Sequence, residues 1–316
     1  MVIAITGAAG NLGSLLSRHL LRTTQCDLRL LTHQRDVPPD LRGQTRAPAI
    51  RCDLAEPETL LPVFDGVDCV VHFAGVLFKA HPKSFLPITN IAYFKNLLAA
   101  AIAKKVRRVI LISFPHVEGA TTPDHPATGK LDGKPDSAHA RTRLEEEKLL
   151  FAAGAEHGFE AVSLRVGMVY GRGILMIDAA RWLSQHRLLG IWREPTSIHL
   201  ISTEDFLGAT AAAATRENVR GVFHLGDDGR QTLQEFLDLA TTVWRTHKPW
   251  RMPLSLIYFA ARLCELQSSL LGTKSPLTRD FITIGRCSYY GDTARMRAEL
   301  LPVLKYATFR EGKTTL

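Results

Sequence analysis

The stretch Val2-Ile3-Ala4-Ile5-Thr6-Gly7-Ala8-Ala9-Gly10-Asn11-Leu12-Gly13 decides the fold of this chain. Val2–Thr6 is a short apolar run rich in β-branched residues, as a buried strand requires. Glycines follow at 7, 10 and 13, and an amphipathic helical pattern, Leu12–Leu21, starts among them. In a strand–turn–helix the first glycine permits the tight turn and the second lets the main chain approach a pyrophosphate. The third lets the helix pack on the strand, and the unpaired N–H groups of the helix N-terminus point at the anion. Gly7, Ala9, Gly10, Asn11, Leu12 and Gly13 are therefore the expected phosphate-binding residues of a dinucleotide site. The competing reading is a loop kept only for folding.

Outward from this loop, strand-like runs recur at Leu28–Thr32, Ala49–Cys52, Cys69–Phe73, Arg108–Ser113 and Ala161–Arg165. Several are continuously apolar, as parallel strands covered on both faces are. Helical stretches lie between them, among them Ile88–Lys104 and Leu144–His157. This alternation predicts an α/β fold, a Rossmann doubly wound parallel sheet with ligands above the carboxyl ends of its strands. After Arg165 come a helix over Ile174–Arg187, a strand over Ile198–Ile201, a helix over Thr203–Thr215 capped by Ser202 or Thr203, a strand over Val222–Leu225 and a helix over Leu233–Trp244. The expected organisation is a dinucleotide-binding domain over 1–170, with parts of 198–226 returning to it, and a smaller, mostly helical substrate lobe over 171–316. Pro115–Pro135, with four prolines and three glycines, should be neither helix nor strand, and follows a central strand where a lid would sit.

Length and composition are those of a globular chain: 316 residues, 46% hydrophobic and 22% charged. The net charge of +8 favours anionic ligands. No dense basic run interleaved with aromatics is present, so nucleic acid is not an expected partner. Five cysteines without a CxxC pair point away from a disulfide framework or a metal site and towards a reducing cytoplasm. No stretch reaches the roughly 18–20 uninterrupted apolar residues of a spanning helix. The nearest, Leu254–Leu271, carries Arg262 and Glu265 and reads as an amphipathic or core helix, an oligomer interface or a membrane-surface contact. A homodimer is the default expectation for a soluble protein.

Thr-Gly-x-x-Gly-x-x-Gly over residues 6–13 resembles the fingerprint of the extended short-chain dehydrogenases/reductases, which include the nucleotide-sugar epimerases and the 3β-hydroxysteroid dehydrogenase-like proteins. Further matches follow in order over about residues 1 to 245: Asp53-Leu54, Phe73-Ala74-Gly75, Asn90, Asn96-Leu97-Leu98, Leu164–Gly171 and Ile198-His199. The resemblance implies that Asp53 and Leu54 contact adenine and that Phe73, Ala74, Gly75 and Asn90 line the cofactor. A carboxylate ending the second strand would bind the ribose of NAD, but neutral Thr32 stands there. His33 and Arg35 suit a 2′-phosphate and favour NADP(H) over NAD(H), while Asp36 keeps NAD open. The plain reading is that His33 and Arg35 are solvated.

The same resemblance implies a Tyr-x-x-x-Lys pair on the helix before the sixth strand and a serine after the fifth. Here His139 falls on the tyrosine, Arg143 on the lysine and Phe114 on the serine, with Ser113 just before it. Histidine, with an ordinary pKa near about 6.5, can exchange a proton at neutral pH unaided. Arg143, one helical turn on, can anchor a ribose but cannot shuttle protons. Both residues could equally be surface groups of a chain that has lost this chemistry. His116 and Glu118 offer a second acid/base or a solvated loop. Phe78, Lys79, His81 and Lys83 follow the fourth strand, and Tyr93 could supply a missing hydroxyl. The Glu145-Glu146-Glu147 run reads as a solvated helix face.

Three functions remain open at this level. The leading one is an NAD(P)-dependent oxidoreductase or epimerase on a small or isoprenoid- or steroid-like alcohol or carbonyl, with His139, Arg143, Ser113 and His116 as its catalytic set. The second is a non-redox cyclase, isomerase or lyase that keeps the fold. The third is an NADP(H)-responsive sensor or binding protein.

Overall fold

The computed structural model describes residues 1–76, 79–273, 275 and 277–316. In chain order the first half contains β1 (Val2–Thr6), α1 (Asn11–Thr23), β2 (Asp27–Thr32), β3 (Ala49–Arg51), α2 (Pro57–Leu60), β4 (Cys69–His72), α3 (Pro82–Leu86), α4 (Tyr93–Ala103), β5 (Arg108–Ser113) and α5 (Ala138–His157). The second half contains β6 (Glu160–Val166), β7 (Met168–Tyr170), α6 (Leu175–Gln185), β8 (Gly190–Trp192), β9 (Ser197–Ile198), β10 (Leu200–Ser202), α7 (Thr203–Thr215), β11 (Gly221–Leu225), β12 (Gln231–Thr232), α8 (Leu233–Trp244), β13 (Trp250–Met252), α9 (Leu254–Leu271), α10 (Arg279–Arg286) and α11 (Phe309–Gly312).

Seven strands form one parallel sheet in the order β11-β6-β5-β4-β1-β2-β3. The order reverses between β1 and β4, and such a switch point opens a crevice at the carboxyl edge. Ile5 pairs with Leu30 on one side and Val71 on the other, so the glycine loop leaves the middle of the sheet. Both faces are covered. Ile3, Ile5, Leu28 and Leu30 pack with Leu16 and Leu20 of α1, whereas Ala4, Val70 and Val109 pack with Phe94, Leu97 and Leu98 of α4. This is why the strands read as continuously apolar.

Several elements differ from their sequence reading. α5 begins at Ala138 instead of Leu144, because the Ser137 hydroxyl accepts the Ala140 N–H at 3.0 Å and caps it. The strand expected over Ile198–Ile201 breaks at His199: β9 pairs with β12 and β10 with β7. The His199 ring turns inward, stacks on Tyr290 at 3.8 Å and contacts the Asp227 carbonyl at 2.8 Å. Pro115–Glu118 forms one 3₁₀ turn inside the proline-rich segment. Beyond it the backbone is stitched to the C-terminal region, Ala127 N–H donating to the Tyr290 carbonyl and Asp292 N–H to the Ala127 carbonyl.

The most membrane-like helix is Pro82–Ala103, not Leu254–Leu271. Here α3, a π-helical turn (Pro87–Ala92) and α4 run together into 22 residues that hold an 18-residue window of mean hydropathy 1.3, enough in length and composition, among the described residues, to cross a membrane. Phe94, Leu97, Leu98, Ala100 and Ala101 of this rod are buried against the sheet. In α9 only Ile257, Ala261, Glu265 and Ser268 are buried. Leu256, Phe259, Leu263, Leu266 and Leu270 stay exposed, so core packing accounts for only one side of it.

Candidate active site

The glycine loop has the shape its sequence demands. Gly7 sits at φ +69°, in the left-handed region, and a Cβ on Gly13 would lie 2.4 Å from the Gly7 carbonyl oxygen. No side chain caps the first turn of α1, which contains no acidic residue. Its free N–H groups are thus left for an anion. The Asn11 side chain holds the loop, donating to the Gly173 carbonyl at 2.7 Å and accepting from Leu175 N–H at 3.1 Å. Thr6 ties β1 to the next segment: its hydroxyl lies 2.8 Å from His72 Nδ1 and accepts the Ala74 N–H at 3.3 Å. Burial, reinforced by nearby Arg143, pushes His72 down to about 3, so its ring is neutral. Phe73, Ala74 and Gly75 are thereby fixed beside the loop. A cradle that any Cβ would fill, above an uncapped helix end, fits the pyrophosphate of a dinucleotide.

At the end of β2, His33 Nε2 lies 3.2 Å from Asp53, and Leu54 receives the Asn96 amide on its carbonyl at 2.9 Å. Asp36 is paired with Arg51 at 3.0 Å and flanked by Arg42 at 4.0 Å. Arg35 is exposed and makes no ion pair or hydrogen bond among the described residues. The carboxylate that would serve NAD is therefore already compensated, while a free guanidinium stands beside it.

The catalytic candidates divide. His139 lies on the first turn of α5, 9% exposed, with Nε2 3.2 Å from the Val76 carbonyl and Nδ1 2.5 Å from Asp280 Oδ2. An Arg143 Nη2 atom lies 3.4 Å from where a Gly75 Cβ would be. Both side chains thus meet the β4 loop at the carboxyl edge, on the side of the sheet where the glycine loop opens. Arg143 Nη1 also stands 3.1 Å from the Glu146 carboxylate, outside hydrogen-bonding geometry. Ser113 ends β5 with its hydroxyl buried and without a hydrogen-bond partner among the described residues. Asn90 faces α5 and not the glycine loop: its amide donates to the Thr142 hydroxyl at 3.1 Å, from within the π-helical turn.

Other candidates are corrected by burial. His116 is not solvated. Its ring packs on Tyr289 at 4.3 Å and Phe114 at 5.4 Å, and burial pushes it down to about 4 although the backbone of Cys287 and Ile284 opposes this. This burial corrects the solvated reading of His116 and leaves its ring neutral. Glu118 is not solvated either. It accepts N–H groups from Thr128, Gly129 and Lys130 and pairs with buried Arg165. Glu146 and Glu147, read as a solvated face, are fully buried. Glu147 accepts from Arg165 Nη2 at 2.6 Å and from Ser163 at 2.8 Å, and burial raises Glu146 to about 7. Lys79 lies over the Phe85 ring at 5.0 Å, His81 contacts Ser269 at 3.3 Å, and Lys83 is exposed. Phe78 lies outside the described residues. Tyr93 is half-buried at the start of α4. Asp280 escaped sequence reasoning altogether; no spacing links it to a residue 141 positions earlier.

Residues 3–194 match the family described as the NAD dependent epimerase/dehydratase family. The chain belongs to that family. Among its relatives, the uronate dehydrogenase of Pseudomonas putida is 28% identical over 194 residues, covering 59% of this chain and 68% of the relative. The L-arabinose 1-dehydrogenase (NAD(P)(+)) of Haloferax volcanii is 29% identical over 177 residues, covering 52% and 66%. This family member thus spans about two thirds of the length of these two relatives. Its fold superposes on MoeE5 in complex with UDP-glucuronic acid and NAD with TM-score 0.77, at 19% identity, over 100% of this chain and 97% of that one. Thermus thermophilus UDP-glucose 4-epimerase gives 0.74 at 20% identity, with the same coverage. The epimerase/dehydratase relatives are dehydrogenases and epimerases, and this chain is an oxidoreductase/epimerase-type enzyme of the short-chain dehydrogenase/reductase superfamily.

Proposed function

We propose that this enzyme is an NADP(H)-dependent oxidoreductase of a small polar or isoprenoid-like alcohol or carbonyl, with His139 as its proton-exchanging group. The observation that carries this reading is the meeting of His139 and Arg143 with the Gly75-Val76 backbone, at the edge where the glycine cradle opens. Gly7–Gly13 would hold the pyrophosphate, Phe73–Gly75 would line the cofactor and Arg143 would anchor the ribose beside the nicotinamide. A bound nicotinamide would supply or accept the hydride. The chain itself handles the proton: His139 Nε2 donates it to the substrate oxygen in reduction, or takes it in oxidation. Ser113, whose buried hydroxyl has no hydrogen-bond partner among the described residues, would be the further hydroxyl at the end of β5.

The preference for NADP(H) rests on free Arg35 and on the pairing of Asp36 with Arg51. The uronate and arabinose dehydrogenases among the relatives make uronates and aldoses the first substrates to test, followed by alkyl ketones. Side-by-side calorimetric titration with NADPH and NADH, then a nicotinamide-absorbance screen over that panel, tests the proposal. Tighter NADPH binding and turnover lost in His139→Gln support it. Turnover of a panel compound without any change in nicotinamide absorbance would replace it with the non-redox reading. Cofactor binding without turnover would favour a sensor.

A further inference from the structure

His139 is held by a residue from the far end of the chain. Its Nδ1 lies 2.5 Å from Asp280 Oδ2, while Asp280 Oδ1 accepts the Ala138 N–H at 3.0 Å. Asp280 is the second residue of α10, well beyond the part of the chain that carries the family match. Its own position is set by two contacts. Thr278 caps α10 by accepting the Phe281 N–H at 3.2 Å. Buried Glu265 of α9 accepts the Arg279 N–H at 2.8 Å and its Nε at 2.7 Å. Burial would raise the Asp280 carboxyl, but the hydrogen bonds from His139 and Ala138 N–H hold it below its ordinary range, so it is a carboxylate. Among the described residues, the neighbouring charged group on the same helix is Arg143, one turn along α5, which also meets the β4 loop at Gly75.

A neutral imidazole carries one proton and can place it on either nitrogen. A carboxylate only accepts, so a ring nitrogen 2.5 Å from it must be the protonated one. We propose that Asp280 is the positioning residue for His139: it keeps the proton on Nδ1 and so reserves Nε2, beside Val76, for exchange with the substrate. The catalytic part of this statement rests on the reading of His139 as the acid/base group. The Val76 carbonyl also only accepts, so the ring stands between two acceptors when both nitrogens carry protons, which is its proton-donating form. In reduction the Nε2 proton passes to the substrate oxygen as hydride reaches the carbon. A neutral ring remains, with its Nδ1 proton on Asp280, and water restores the Nε2 proton. The C-terminal lobe would then contribute to catalysis as well as to substrate binding, through the line from Glu265 to α10 to His139.

A purely structural role, capping the first turn of α5, would be served equally by asparagine, whose carbonyl oxygen can keep the Ala138 N–H. Full-length protein labelled with ¹⁵N-histidine separates the two. The His139 ring signals, assigned by their loss in His139→Gln, report which nitrogen carries the proton at pH about 8, above the ordinary imidazole range. The native protein is expected to show the Nδ1–H tautomer. Asp280→Asn is expected to shift it towards Nε2–H, and Asp280→Glu to restore Nδ1–H, with calorimetric NADPH affinity unchanged in both. An Nδ1–H tautomer persisting in folded Asp280→Asn overturns the proposal. For any panel substrate the native enzyme turns over, kcat should fall about tenfold or more in Asp280→Asn with KM little changed, within the roughly 10²- to 10⁴-fold loss that removing the acid causes. A shifted tautomer with undiminished turnover in His139→Gln supports the Asp280–His139 coupling but removes the acid/base reading. An unshifted tautomer with inactive His139→Gln does the reverse.

Discussion

Replacing Glu118 by glutamine should weaken the fold strongly at neutral pH and much less in acid. Burial pushes this carboxyl up, but His224, Arg165 and the N–H groups of Gly129 and Thr128 overcome it and hold it at about 2, against an ordinary value of 4.5. The side chain is only 8% exposed, so solvent screening is slight. The depressed value means that the folded state keeps the ionised form while the unfolded chain still binds a proton, so the stabilisation is complete above about pH 4.5 and is lost as pH falls towards 2. At 1.36 kcal/mol per unit this amounts to about 3 kcal/mol at pH 7, about 2 kcal/mol at pH 3.5 and under about 1 kcal/mol at pH 2.5. With an unfolding entropy of about 2.1 cal/mol/K per residue over this length, Tm should drop by roughly 4–5 °C at pH 7. Urea unfolding of native protein and Glu118→Gln at pH 7 and pH 3.5 reads the difference directly. A difference below about 0.5 kcal/mol at pH 7, or one that does not shrink at pH 3.5, would refute the account of Glu118 as a charged clamp on the segment after β5.

Arg35→Ala should lower NADPH affinity roughly ten- to a hundredfold by calorimetry, the worth of one charge-assisted contact, and leave NADH nearly untouched; equal losses for both would dismiss the phosphate-recognition reading. Gly13→Ala places a Cβ 2.4 Å from the Gly7 carbonyl, so the loop must open and dinucleotide binding should disappear from the calorimetric trace. His139→Gln should reduce kcat by about 10²- to 10⁴-fold without weakening cofactor binding, and activity within a factor of two of the native enzyme would take His139 out of the chemistry.

Local interactions leave their mark on residue order, and long-range ones do not. Val2–Gly13 was fully legible because a buried strand, a turn needing positive φ at Gly7 and a helix packing against Gly13 all lie within a dozen residues, and each makes its own demand on residue type. The parallel sheet was legible for a similar reason, since burial on both faces leaves its strands apolar throughout. The position of His139 and Arg143 one turn apart also follows from helix geometry alone. Charge burial was not legible. Glu146 and Glu147 look like a solvated face until β6 brings Arg165 against Glu147 and Arg143 turns back towards Glu146. Glu118 and His116 look like loop residues until Arg165 and Tyr289 enclose them.

The residue order alone specifies the cofactor-binding half of this enzyme, where the physics is short-range: backbone conformation, helix dipole and apolar periodicity. The environment of each ionisable side chain is set only when distant elements pack together. A carboxylate or imidazole takes its state from partners brought within about 3 Å by the packing of distant elements, as α10 brings Asp280 to His139, and no spacing along the chain encodes that distance.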